Sequence, residues 1–158
     1  MHQTNYMRKF FTLCLLVISA GQAFSQQAEN EAVKKTINTL FAAMKKGDST
    51  LLRTVFHKDM VLQTVANKRD GSKVLMTEKP AEFLKAVGTP HTDVWDERIT
   101  FGDIKIDDNL ASVWTPYKFY VSDKFSHCGV NFFQLMKTAD GWKVIYIVDT
   151  RRKDNCPE

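Results

Sequence analysis

Six side chains in this sequence carry groups suited to moving a proton: His127, Asp149, Asp96, Glu97, Asp103 and His57. They are scattered, so no local motif makes a site of them and only folding could bring any two together. His127 is the one whose ordinary pKa, about 6.5, already suits a proton carrier near neutrality. It lies within the stretch from Leu110 to Asp149, which also holds Trp114, Tyr120 and Asn131. Aromatic walls with a few convergent polar groups are what small-molecule pockets are made of. Trp114, Tyr120, His127 and Asn131 therefore form the candidate ligand-binding set, and His127 is the candidate catalytic residue if the protein is an enzyme. The competing reading of His127 is a strand-end histidine that satisfies a neighbouring carbonyl. Trp114 and Trp95 either clamp a planar ligand by stacking or pack in the core. Arg151 and Arg152 either receive an anion at a cleft mouth or stand as solvated tail charges.

Several chemistries find no support. His2 lies in the N-terminal leader, and His57, His91 and His127 show no metal-ligand spacing, so neither a metal nor a cofactor is expected. There is no Gly-rich phosphate loop, no G-x-S-x-G and no C-x-x-C. Nucleotide hydrolysis, serine-hydrolase chemistry and thioredoxin-like redox work are disfavoured accordingly.

The elements that must position these residues are easiest to read in the C-terminal third. Between Leu110 and Asp149, three runs rich in Val, Ile, Phe, Tyr and Trp are cut by Ser122-Asp123-Lys124 and Ala139-Asp140-Gly141. That is the pattern of an antiparallel meander with short hairpin turns. With a two-residue turn at Asp140-Gly141, Ala139 faces Trp142, Leu135 faces Tyr146 and Phe133 faces Val148. An even loop at the earlier turn puts Trp114 and Tyr120 on the face of His127, Asn131, Phe133 and Leu135. The other face then carries Val113, Tyr117, Phe119, Cys128, Val130, Phe132, Met136, Ile145 and Ile147. A bulge in either hairpin would swap part of this assignment. Both faces carry large apolar groups, so both need a cover. Helices can supply one, and a second copy of the chain is the expected supplier of the other, making a homodimer.

At the N-terminus, Arg8 and Lys9, the short apolar run Phe10 to Ile18 and Ala23-Phe24-Ser25 read as a secretory signal peptide over residues 1–25. The run is too short to span about 30 Å of hydrocarbon, and the competing reading, a membrane anchor, is set aside on that ground. Cutting 25 residues from 158 leaves 133, enough for one domain, 26–158, with one core. The cut also removes two positive charges, so the net charge falls from +4 to +2. Such a domain asks for neither nucleic acid nor a membrane surface. A periplasmic or secreted location permits a disulfide between the two remaining cysteines, Cys128 and Cys156. The hairpin register sets Cys128 opposite about Lys153, three residues from Cys156; the alternative is two independent thiols.

Upstream, Val33, Ile37, Leu40, Phe41 and Met44 make the apolar stripe of a helix over Glu29 to Lys46. Gly47 stops it, and Asp48 can cap a second helix through Ser49 to Phe56. Met60 to Val65 reads as a strand, Asn67 to Lys73 as a loop and Thr77 to Val87 as a third helix with Thr77 as its cap. Val94 to Ile106 reads as one long strand leading into the meander through Asp107-Asp108-Asn109. Helices first and an antiparallel sheet after is an α+β pattern.

In that order, Phe41-Ala42-Ala43-Met44-Lys45-Lys46-Gly47-Asp48, then Leu52 and Phe56 before Asp59, and finally Gly141-Trp142-Lys143-Val144 resemble the NTF2-like (SnoaL-like) superfamily. His127-Cys128-Gly129 with Asp149-Thr150-Arg151-Arg152 and Cys156 is similar to its secreted bacterial, lumazine-binding-like branch. The resemblance implies a cone, with N-terminal helices on a curved antiparallel sheet, a pocket at the wide end and dimerisation through the sheet. It leaves three roles open: binding a small apolar or aromatic molecule, isomerase or dehydratase chemistry by His127 with a nearby carboxylate, or an accessory dimer with a plugged cone.

Overall fold

The computed structural model describes residues 26–68 and 70–157. The chain divides into two compact units, Met1–Glu31 and Ala32–Glu158. Of the first, residues 26–31 are described and helical; the expected signal peptide, residues 1–25, lies outside the described residues. The second unit is α+β, with helices packed on a curved, unclosed seven-stranded sheet.

Helix α1 of this unit covers 32–46 and buries the expected stripe, Val33, Ile37, Leu40, Phe41 and Met44. Gly47, at φ 67°, ends it: Asp48 N–H reaches Ala43 O at 2.9 Å and Gly47 N–H reaches Met44 O at 3.1 Å. Asp48 then caps α2 (Ser49–Val55) by accepting from Leu51 N–H at 2.8 Å. One short junction thus turns the chain without leaving either helix end unsatisfied.

The strands are β1 (Phe56–Asn67), β2 (Lys73–Glu78), β3 (Trp95–Ile99), β4 (Ile104–Asp107), β5 (Leu110–Val121), β6 (Lys124–Thr138) and β7 (Gly141–Thr150). Their order is β2-β1-β7-β6-β5-β3, with β4 beside β3 on the free edge of β5. The meander runs β5-β6-β7 as expected, and β1 joins β7 in parallel. Helix α3 (Pro80–Gly88) covers part of the same face as α1. The core lies between them, with Phe41 edge-on to Phe133 at 6.0 Å.

Three local expectations are corrected. Lys73 to Glu78 is not loop and helix cap but a strand paired with β1, from Leu62↔Glu78 to Asn67↔Lys73. Helix α3 therefore begins at Pro80, whose missing N–H costs nothing in a first turn, and Lys79 rather than Thr77 is its N-cap. The long strand Val94 to Ile106 is two strands, broken at residues 100–103. Opposite the break stands Pro116: Thr100 N–H donates to its carbonyl, but Pro116 has no N–H to return.

Register is the largest correction. Ser122 and Asp123 form a two-residue loop, even as expected, with Val121↔Lys124 and Tyr120↔Phe125 paired. The next pair is Phe119↔His127, so Ser126 is an extra residue on β6. In the second hairpin the loop is Ala139-Asp140, with Thr138↔Gly141 paired in place of Ala139 and Trp142. Leu135 pairs with Val144 and Gln134 with Tyr146, leaving Ile145 as the extra residue. Each bulge flips the alternation beyond it. The helix-covered face therefore carries Val113, Phe119, His127, Asn131 and Phe133, together with Ile147 and Asp149. Trp114 and Tyr120 fall on the outer face.

Candidate functional site

Between α1, α3 and the inner face of the sheet lies a cavity of about 380 Å³. Its wall is apolar: Leu40, Phe41 and Met44 from α1, Phe83 from α3, and Trp95, Phe119, Phe133 and Ile147 from the sheet. One end is polar, built from Glu97, His127, Asn131, Asp149 and Arg151, with Glu78 at its edge.

Cross-strand pairing assembles that end. Asn131 on β6 is the partner of Asp149 on β7, which is level with Thr64 on β1. Glu97 on β3 is level with Phe119 on β5, and Phe119 with His127 on β6. Asn131 Nδ2 donates to Glu97 Oε1 at 2.7 Å. The buried Asp149 accepts from Thr64 Oγ1 on one oxygen and, on the other, from Arg151 Nε at 2.8 Å. Tyr117 Oη lies 3.2 Å from that second oxygen and 2.9 Å from the Thr150 carbonyl, so its one proton serves this corner too. These donors satisfy the buried carboxyl and hold it in place.

Glu97 is different. It has one donor, Asn131, and burial pushes its carboxyl up to about 7 despite that bond, with Asp149 adding repulsion. An acid with that pKa exists in both forms near neutrality, the condition for general acid–base work. His127 packs its ring against Phe119 at 4.9 Å and edge-on against Tyr117 at 5.7 Å. Its Nδ1 is 3.0 Å from Ser126 Oγ, and burial followed by the nearby Arg151 charge lowers its pKa. The imidazole is therefore mainly neutral at neutral pH. Burial raises the Tyr117 hydroxyl far above its usual range, so it stays protonated. At the cavity edge, burial raises the Glu78 carboxyl while Arg151 pulls the other way.

Of the four expected ligand-binding residues, His127 and Asn131 line the cavity. Trp114 instead borders an outer groove with Phe132, Asp103 and Lys105, and Tyr120 lies under the Arg98 guanidinium at 4.1 Å. The bulge at Ser126 is the reason. Among the scattered acid–base candidates, Glu97 and Asp149 join His127. Asp96 does not, being held by Lys45 at 3.0 Å and Arg98 at 2.9 Å. Asp103 is in the outer groove, and His57 sits beside Asp59 on β1. Trp95 takes the cavity position, and Arg151 rather than Arg152 stands at the polar end. Among the described residues no cluster of His, Cys, Asp and Glu could hold a metal.

The tail is stapled beside this end. Cys128 and Arg152 exchange backbone hydrogen bonds of 2.8 and 2.9 Å, one residue from the expected register. Cys156 is disulfide-bonded to Cys128, with Cα atoms 5.6 Å apart. Among the described residues no helix is long and apolar enough to cross a membrane.

No curated protein matches the sequence. An NTF2-like protein of unknown function from Shewanella baltica OS155 superposes with a TM-score of 0.62 at 18% identity, covering 80% of this chain and 96% of its own. A conserved protein from Planctomyces limnophilus gives 0.65 at 17%, covering 80% and 98%. A protein from Streptomyces avermitilis, described as a putative dehydratase from the NTF2-like family, gives 0.59 at 14%, again covering 80% and 98%. At these identities the likeness is one of fold. The family model described as "Putative lumazine-binding" matches residues 28–148, and with the helix order, the curved sheet and the cavity it places this chain in that family of the NTF2-like superfamily.

Proposed function

We propose that residues 26–158 form an exported module that binds one small, largely apolar or aromatic molecule in its cavity. The observation that carries this reading is the cavity itself: about 380 Å³, walled by aliphatic and aromatic side chains and polar at one end. An open cavity of that size argues against a plugged accessory cone. The family description points to a small-molecule ligand as well. Export rests on the leader sequence and agrees with a disulfide-bonded domain. The test is native mass spectrometry of protein purified from its source. A retained small molecule of constant mass is expected; protein that is always empty would overturn the reading. The same spectrum gives the N-terminus, expected close to Gln26.

A second reading, isomerase or dehydratase chemistry, is favoured by one observation: Glu97, titrating near neutrality, lines the same cavity as His127. Turnover of a carbonyl or hydroxyl compound, lost in Glu97→Gln, would establish it.

A homodimer through the outer sheet face is proposed with it. Trp114 is 50% exposed, Val61 40% and Val65 41%, and Phe132 packs beside Trp114 at 6.2 Å. The helices cover the opposite face, so a second copy is what remains to cover this one.

A further inference from the structure

At the polar end of the cavity both Asp149 oxygens are occupied, and donors on Arg151 and His127 are free. Asp149 receives Thr64 on one oxygen and Arg151, with Tyr117 close by, on the other. Glu97 Oε1 receives Asn131. Arg151 binds Asp149 through Nε, and its remaining N–H groups have no partner among the described residues. With Ser126 Oγ at His127 Nδ1, the neutral ring can carry its proton on Nε2. We propose that the cavity takes an uncharged carbonyl compound, oxygen first, received by Glu97 beside His127 and Arg151. The proposal rests on the cavity being a binding site, and it makes Glu97 the specificity-determining residue.

The alternatives meet specific costs. A ligand anion would be placed beside Asp149, whose charge Arg151 already balances. A ligand cation would need Glu97 ionised in an apolar wall. A plain hydrocarbon would leave the Glu97 donor desolvated without a partner. Asn131 keeps its Oδ1, so an N–H or O–H next to the ligand carbonyl would also be received.

Glu97 binds its proton up to about pH 7. The charged and titratable groups around it are His127 on β6, Tyr117 on β5, Asp149 on β7, Arg151 just past the end of β7, and Glu78 on β2. Its strand neighbours Asp96 and Arg98 are paired with each other, and Lys45 of α1 with Asp96. Helices α1 and α3 line the cavity with Leu40, Phe41, Met44, Phe83 and Ala86. Carbonyl affinity should therefore fall as pH rises through 7, by about 30-fold between pH 5.5 and 8.5 if only the acid form binds.

The experiment is equilibrium dialysis of the purified protein at those two pH values with four matched probes: 2-acetylnaphthalene, 2-ethylnaphthalene, 2-naphthoate and 2-naphthylmethylammonium. The acetyl probe is expected to bind tightest at pH 5.5 and to lose about 30-fold at pH 8.5. The ethyl probe should bind more weakly and equally at both. Glu97→Gln, which keeps a donor and cannot titrate, should hold the acetyl probe without pH dependence. Acetyl binding no tighter than ethyl, or tightest binding of either charged probe, overturns the proposal and leaves the binding site standing. A pH dependence that survives in Glu97→Gln overturns it too and transfers the titration to His127. No binding of any probe overturns both the proposal and the binding reading. The wild-type comparison of acetyl with ethyl needs no variant to fold.

Discussion

Asn131 on β6 donates to Glu97 on β3 at 2.7 Å, across the strand β5 that separates them. The contact ties the outer edge of the sheet to its middle through the floor of the cavity. It also leaves the Glu97 carboxyl with one strong partner in surroundings that penalise its charge. Stability and binding should both respond to that group.

The folded-state pKa of Glu97 is raised, from 4.5 to about 7. The folded protein therefore holds this proton more tightly than the unfolded chain does. The stabilisation is fully present below about pH 4.5 and lost as pH rises through 7, on the order of 3 kcal/mol at most. Melting temperature measured from pH 5 to 8 should fall for wild type relative to Glu97→Gln. A constant difference across that range would show that the carboxyl is solvated.

Gly129 stands opposite Tyr117, whose ring passes over it to reach Asp149 and Thr150. A Cβ at Gly129 would lie 1.8 Å from Thr150 O and 3.0 Å from the Tyr117 ring. Gly129→Ala should cost more than about 3 kcal/mol, since two strands would have to part. Tyr117→Phe, which removes only the hydroxyl from this corner, should cost about 1–2 kcal/mol. Urea denaturation of both variants checks the ranking; an Ala variant as stable as wild type would refute the close approach.

Cys128 and Cys156 close a loop with a sequence separation of 28. Constraining the unfolded chain over that length contributes about 3 kcal/mol. Thiol titration of the unfolded mature protein without reductant should find none. Cys156→Ser should lower the denaturation midpoint and, by freeing the tail beyond Arg152, raise hydrogen exchange at Cys128 and Arg152. Two titratable thiols in oxidised material would refute the bridge.

The outer face predicts assembly. Light scattering at micromolar concentration should give a dimer for wild type and a monomer for Trp114→Lys, because a charge at a half-exposed indole would be buried without a partner. A wild-type monomer would dispose of the interface.

The α1 stripe and the Gly47-Asp48 junction were legible in the sequence, as were the meander turns to within one residue. Each depends on residues a few positions apart: a 3.6-residue period, a glycine that accepts positive φ, an aspartate within reach of the next turn's N–H. The pairing of Cys128 with Cys156 was nearly as legible, because a one-residue error in register still leaves the sulfurs within reach. His127 and Asn131 could be named as parts of a pocket. Trp114 and Tyr120 could not be excluded from it, since nothing in Phe125-Ser126-His127 marks Ser126 as the extra residue. Only the packed sheet decides where bulges fall, by matching β6 to β5 on one side and β7 on the other. The same holds for Glu97 and Asp149. Both stand among six scattered candidates that nothing in the sequence joins, and the cavity's polar end appears only when β1, β3, β5, β6 and β7 are laid side by side. Side-chain period along a strand is a local property, but which face becomes the inside depends on partners far along the chain, as Thr64 is 85 residues from Asp149.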